Sequence, residues 1–280
     1  MKLKKIIFIL ALLIFLGALG YLGAVGYSYY SAGKAYEELA EAVVTRQEGT
    51  ATGERGEGEG EGAVWEPLAI DFGALQEISE DAVLWIDIPG TPVSYPVAQA
   101  ADNEYYLKRN LSGSYNFAGA VFMDFRNDPS LSDDNTILYG HNMRNGSMFG
   151  ILSHYADEEF YKSHPEIDLY LPGRILRCTI LSSHQEEAEE ENFPTRFETE
   201  EEKLAFISRM KARACYDTGT EAGAEDHLVM LVTCTGNGYT HRWVVQAKVT
   251  QEIETAEAGS RPFVRKNKEI YLRFRKNIVS

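Results

Sequence analysis

Three side chains in this sequence could together attack a carbonyl: the thiol of Cys234, the imidazole of His141 and the guanidinium of Arg242. A thiol attacks as its thiolate, so Cys234 needs a cationic neighbourhood that lowers its pKa. His141 could supply that charge as imidazolium, then protonate a departing amine and deprotonate an incoming one. Arg242 holds its proton too tightly to be a base. It suits hydrogen bonding to a substrate backbone and to the oxyanion of a tetrahedral intermediate, with a backbone N–H near Cys234 as co-donor. The set points to thiol acyl transfer. Taken singly, each member has a plainer reading: a structural cysteine at a strand end, a surface arginine opening a strand, a turn histidine in Gly140-His141-Asn142. His241 is the rival imidazole, but as the strand neighbour of Arg242 it would face the other way. His154, His164, His184 and His227 have no matching thiol. No Cys/His set has zinc spacing, so neither metal nor cofactor is expected.

The elements that must position these groups follow from local pattern. Residues 228–232, Leu-Val-Met-Leu-Val, form an apolar, β-prone run that reads as a buried strand delivering Cys234 at its end. Gly236, Asn237 and Gly238 supply turn chemistry, and residues 242–249 read as the returning strand. Such a hairpin holds thiol and guanidinium close across its mouth. His141 follows a strand expected at 135–139. Further strands are expected at 83–88, 93–97, 120–124, 167–171 and 175–182, with short helical turns at 148–155 and 157–162. Asp71 caps a short helix carrying Phe72, Leu75 and Ile78. Thr199-Glu200-Glu201-Glu202 is a capping box that opens a longer helix with Leu204, Phe206, Ile207 and Met210 on its buried side. The acidic run 186–191 reads as a solvated loop. Residues 261–276 carry a basic face with Ile270, Leu272 and Phe274 alternating, as in a terminal strand or docked tail. Many short strands with turn signals and few helices indicate a mainly β fold, a closed β-barrel decorated with helices.

Length and charge bound the rest. The chain has 280 residues, 44% hydrophobic and 25% charged, with room for one domain of about 200 residues plus accessory segments. A formal net charge of −15 argues against a nucleic-acid or anionic-membrane binder, since phosphate neutralisation needs clustered Lys and Arg. Residues 6–25 carry no charge, and at ~1.5 Å per residue cover ~30 Å, about a hydrocarbon core. Lys2, Lys4 and Lys5 precede them, so the expectation is a single-pass cell-membrane protein, N-terminus cytoplasmic and the rest extracellular. A cleavable signal peptide is the competing reading, but the run is long for one and no clear cleavage site follows. The expected organisation is a cytoplasmic tail (1–5), an anchor (6–26), a juxtamembrane helix and flexible Gly/Glu tether (27–64) and a catalytic domain (65–280). The cysteines number three, so at least one is free unless it pairs between chains. Cys178 and Cys215 both read as small buried side chains. A Cys178–Cys215 disulfide is compatible with the sequence, but nothing demands it.

Leu231-Val232-Thr233-Cys234 with Arg242 resembles the Leu-x-Thr-Cys…Arg signature of sortases, the Gram-positive cell-wall cysteine transpeptidases. Residues 139–149, Tyr-Gly-His-Asn-Met-Arg-Asn-Gly-Ser-Met-Phe, are similar to the histidine block of class B sortases. So are Asp102-Asn103-Glu104-Tyr105-Tyr106-Leu107 and Val121-Phe122-Met123-Asp124 to other parts of that class. The resemblance runs from about residue 71 to 249. It implies a sortase-type barrel with an N-terminal helix and a long helix before the catalytic cysteine strand. It also implies a two-step reaction: Cys234 cleaves a C-terminal sorting signal, of Asn-Pro-x-Thr type, after its Thr to form a thioester. An amine then resolves it, from a peptidoglycan precursor or a pilin lysine. Asn103, Leu107, Tyr139 and Thr233 match positions that line the family's peptide groove. Thr235, where several class B members are acidic, and a short Cys-to-Arg interval are departures that bear on signal preference. The competing readings are a pilin-polymerising enzyme, a cysteine endopeptidase that releases product to water, and a non-catalytic envelope scaffold.

Overall fold

The computed structural model describes residues 2–46, 65–188, 193–234 and 240–255. In chain order its elements are helix α1 (Lys2–Val43), strands β1 (Val44–Arg46) and β2 (Leu68–Ile70), helix α2 (Phe72–Ile78), and strands β3 (Ala82–Asp87), β4 (Ser94–Ala98), β5 (Val121–Met123) and β6 (Asn135–Tyr139). Helix α3 (Glu158–Ser163), strands β7 (Glu166–Leu171) and β8 (Arg174–Glu187), helix α4 (Glu200–Arg213) and strands β9 (Leu228–Cys234) and β10 (His241–Glu254) complete them. Eight strands close a barrel in the order β10-β8-β7-β3-β4-β5-β6-β9. The pairs β4–β5 and β6–β9 are parallel and the others antiparallel.

The apolar run of β9 is buried on both faces, which is why it does not alternate with polar residues. Val229 and Leu231 point into the barrel core beside Leu138 and Val245. Leu228, Met230 and Val232 pack outward against Phe206, Ile207 and Met210 of α4. Burial of side chains of this size stabilises by about 1.5–3 kcal/mol each. The inner stripe of α4 is Lys203, Phe206, Ile207 and Met210, spaced i, i+3, i+4, i+7. That spacing turns Leu204 outward, 44% exposed, against the expectation that it faces the core. Lys203 takes the inner place by pairing its ammonium with Asp134 at 2.9 Å. Thr199 caps the helix as expected, its hydroxyl accepting from Glu202 N–H.

The acidic run does not begin as a loop. Strand β8 continues through Glu187 because β10 pairs with it as far as His241. Glu186 is buried, with its carboxylate accepting from His184 Nε2 at 3.1 Å and from Arg213 on the last turn of α4. Residues 189–191 of that run, the 236–238 turn and the basic C-terminal stretch lie outside the described residues. Cys178 is buried and Cys215 exposed, and both thiols are free. Cys215 follows the end of α4, where its backbone N–H bonds to Ser183 on β8, so its thiol does not enter the core as expected.

Helix α1 runs unbroken for 42 residues, about 63 Å. Its apolar first half is exposed, whereas Ala32, Tyr36, Leu39, Ala42 and Val43 are buried against the barrel and α2. The folded body thus takes in residues upstream of position 65. Strand β1 pairs antiparallel with β2, Arg46 opposite Leu68. The Gly/Glu tract between them lies outside the described residues, but its flanks return to one another.

Candidate active site

Strand register brings the three candidate positions to one end of the barrel. Cys234, the last residue of β9, is directly opposite Arg242 on β10. On the other edge of β9, Tyr139 of β6 is opposite Val232, and His141 follows two residues later. Two hydrogen bonds stitch these strand ends together: Gly140 N–H donates to Val232 O at 3.2 Å, and Thr233 Oγ1 donates to Gly140 O at 2.7 Å. The residue before His141 is therefore fastened to the residue before Cys234.

The imidazole is held as firmly as its backbone. His141 Nε2 donates to the Leu107 carbonyl at 2.6 Å. Because a carbonyl only accepts, Nε2 carries the proton and Nδ1 is the nitrogen through which a proton can be exchanged. The His141 carbonyl accepts from Met143 and Phe149, closing the loop behind it. Gly140 is needed there, since a Cβ would lie 2.7 Å from the Phe149 ring. Gly119 is needed as well. Its φ is +62°, and a Cβ would meet Tyr106 O at 2.6 Å, Leu107 O at 2.9 Å and the His141 ring at 3.0 Å. Tyr36 of α1 donates to Gly119 O at 2.6 Å, so the N-terminal helix braces the same corner.

The four expected groove residues serve this frame in distinct ways. Leu107 holds His141 through its carbonyl, with its side chain 38% exposed. Thr233 is buried, its hydroxyl spent on Gly140. Tyr139 is half-buried, stacked on Phe122 with ring centroids 5.4 Å apart, and its hydroxyl donates to Asp124 at 3.3 Å. Asn103 donates to the same carboxylate at 3.1 Å and accepts from Phe125 N–H at 3.0 Å. Asn103 and Tyr139 therefore meet at Asp124, a fully buried carboxylate that the sequence marked only as a strand end and as part of the resemblance over 121–124, without a role. Burial pushes the Asp124 pKa up, but bonds from the Arg126 side chain and backbone and from Asn103 outweigh it and hold it below the usual carboxylate range.

Glu186 is a second residue the sequence did not mark. It stands opposite Arg242 on the far side from Cys234, so a buried carboxylate neighbours the guanidinium-bearing position across the sheet. Arg242 Nη1 also donates to His241 O at 3.3 Å. His184 is sealed in the interior. Burial lowers its pKa more than the Glu186 carboxylate raises it, which suits a neutral structural ring.

A sortase-domain family model matches residues 86–250. The chain is 32% identical over 177 residues to the Sortase B of Listeria monocytogenes, covering 62% of this chain and 72% of that protein. It is 30% identical over 186 residues to the Sortase B of Staphylococcus aureus, covering 66% and 76%. A structure of sortase B from Bacillus anthracis in complex with AAEK1 superposes with a TM-score of 0.67 at 31% identity, over 82% of this chain and 99% of that one. The Staphylococcus aureus sortase B–substrate complex gives 0.60 at 30% identity, over 66% and 85%. With the family model spanning more than half of the sequence and the barrel shared, the chain belongs to the sortases, a family of cysteine transpeptidases, and within them to class B.

Proposed function

We propose that this transpeptidase is a membrane-anchored, extracellular enzyme in which Cys234 is the nucleophile, His141 the acid–base group and Arg242 the oxyanion and peptide-backbone donor. The register that sets Cys234 between Arg242 and the His141 loop carries this reading. Ile137, Met230, Val232 and Val244 share the face of the sheet covered by α4. A step of two along β10, from Val244 to Arg242, supports the same face for the guanidinium.

The thiolate of Cys234 adds to the carbonyl of the signal's threonine, and the resulting oxyanion is stabilised by Arg242 and a backbone N–H. The tetrahedral adduct collapses with cleavage of the C–N bond as imidazolium His141 gives its Nδ1 proton to the departing amine. A thioester remains. An incoming amine, from a peptidoglycan precursor or a pilin lysine, loses a proton to His141 as it attacks the thioester, and Cys234 leaves as thiolate. The substrates are secreted proteins with a C-terminal sorting signal of Asn-Pro-x-Thr type. Leu107 and Tyr139 border the peptide groove, and Asn103 and Thr233 hold its walls. Residues 6–26 span the membrane with residues 1–5 in the cytoplasm, and the rest of the chain is outside. The exposed apolar half of α1, long enough to cross a bilayer, supports the span, and Lys2, Lys4 and Lys5 before it support the cytoplasmic N-terminus.

The test is a panel of quenched peptides with Asn-Pro-x-Thr and Leu-Pro-x-Thr signals, run with and without a peptidoglycan-like amine and read by mass spectrometry. Cleavage after threonine with an amine-linked product is expected, and hydrolysis alone would favour an endopeptidase. Cys234→Ala should abolish both products while leaving the circular dichroism unchanged; residual turnover would refute the nucleophile.

A further inference from the structure

Helix α1 is a ruler. It passes without a break from the exposed apolar segment into the half that docks on the barrel, so the barrel's height above the membrane is set by residue count. Val25 ends the strongly apolar run, the next charged residue being Lys34, and Tyr29 already touches Phe117 of the β4–β5 connection, ring centroids 4.8 Å apart and edge to face. Four residues of helix rise span about 6 Å. The headgroup layer on each side of a bilayer is about 5–7 Å deep, from a total of ~40–45 Å around a ~30 Å core. The Phe117 corner therefore lies within that layer.

The surface at that corner has the matching composition. Tyr115 is 78% exposed, Tyr105 39% and Phe117 36%, beside Tyr27 and Tyr30 of α1 at 70% and 64%. Tyrosines are enriched at membrane–water interfaces because one end is apolar and the other wet. Lys108 and Arg109 are exposed on the same turn, in a chain whose net charge is −15. Arg109 lies over the Tyr105 ring at 4.5 Å, and Tyr115 faces Arg109 across an isolated bridge. Asp102 and Glu104 are the carboxylates of that turn, Asp102 accepting from the Glu104 and Tyr105 N–H groups, and Lys34 of α1 is paired with Glu38 at 3.5 Å.

We infer that the loop 105–117 rests on the interfacial layer of the bilayer that α1 spans, with Tyr115 and Phe117 among the headgroups and Lys108 and Arg109 against anionic lipid. This rests on residues 6–26 being the membrane anchor. The Leu107 carbonyl that fixes His141 belongs to the same loop. The active site consequently works at the membrane surface, and lipid contact steadies the turn that orients its imidazole.

The full chain, reconstituted in phosphatidylcholine–phosphatidylglycerol vesicles, tests this in two readouts. Flotation with the vesicles reads the anchor. Tyr115→Trp or Phe117→Trp places an indole in the loop, and Leu204→Trp places one on α4 as control. The unsubstituted protein supplies the background of Trp65, Trp85 and Trp243. The loop indoles should lose emission in vesicles brominated near the headgroup end of the acyl chains, relative to unbrominated ones, and the α4 indole should not. Flotation with no quenching at either loop position overturns the inference and spares the anchor. A blue shift without bromine quenching also overturns it, marking a second copy or another protein as the cover. Failure to float removes the anchor and the inference together.

Discussion

Asp124 accepts from the Arg126 guanidinium through both oxygens, at 2.9 and 2.8 Å, and again from the Arg126 backbone, Asn103 and Tyr139. Its folded pKa lies below the ordinary value near 3.9, so the ionised form is the one folding favours. The stability it contributes is present above the unfolded pKa and is lost as pH falls through the lower folded one. Asp124→Asn should therefore cost about 1.5–3 kcal/mol at neutral pH, the range for hydrogen bonds to charged groups. The gap to the unsubstituted protein should close below about pH 4. Chemical denaturation across pH checks this; a gap that persisted in acid would mean that packing, rather than charge, is what Asp124 supplies. Arg242→Ala should lower kcat by about 10²–10³-fold if the guanidinium meets the oxyanion. A rise in KM with kcat unchanged would assign it to ground-state peptide binding instead.

At the scale of elements, the hairpin strands and the helix before them were readable because each carries its own period or cap. Residues 228–232 show a strand buried on both faces, and Thr199 with Glu202 shows a helix start. Element limits set by a partner strand were not readable. Strand β8 runs into an acidic sequence because β10 is there to pair with it, and Glu186 survives burial because Arg213 and His184 meet it. Lys203 likewise occupied a core stripe that hydrophobicity assigned to Leu204, since Asp134 is distant in sequence and near in space. Helix α4 buttresses the strand that bears Cys234 through Met210, which is fully buried against β9. Met210→Ala should destabilise by about 2–5 kcal/mol by transfer loss plus cavity. Denaturant midpoints with unchanged m would show it.

For the whole molecule, α1 belongs both to the apolar N-terminal segment and to the folded body. Leu39 and Val43 lie in the cluster that includes Trp85, Tyr106 and Phe122, and Tyr36 reaches the Gly119 corner beside His141. A soluble chain beginning at Trp65 would lose those contacts and the β1–β2 pair, whereas one beginning at Ser31 would keep them. At about 1.5–3 kcal/mol for each large side chain buried, the shorter chain should be less stable by at least ~4 kcal/mol. Its melting temperature should fall, and its turnover with it. Equal melting temperatures would show that α1 docks without stabilising the barrel.

The mainly β class and the apolar N-terminal helix were determined by the sequence alone, and the candidate chemistry-bearing residues were named by it. Residue type, period-two and period-3.6 patterns and turn residues are local properties, written within a few positions of one another. Tertiary structure decided what joins distant positions. It set Cys234 opposite Arg242, fixed the His141 tautomer through a carbonyl 34 residues away, tied Thr233 to Gly140 across 93 residues and gathered Asn103 and Tyr139 on Asp124. Register and hydrogen-bond partners depend on how the barrel closes, and a shift of one residue would turn every side chain of a strand to the other face.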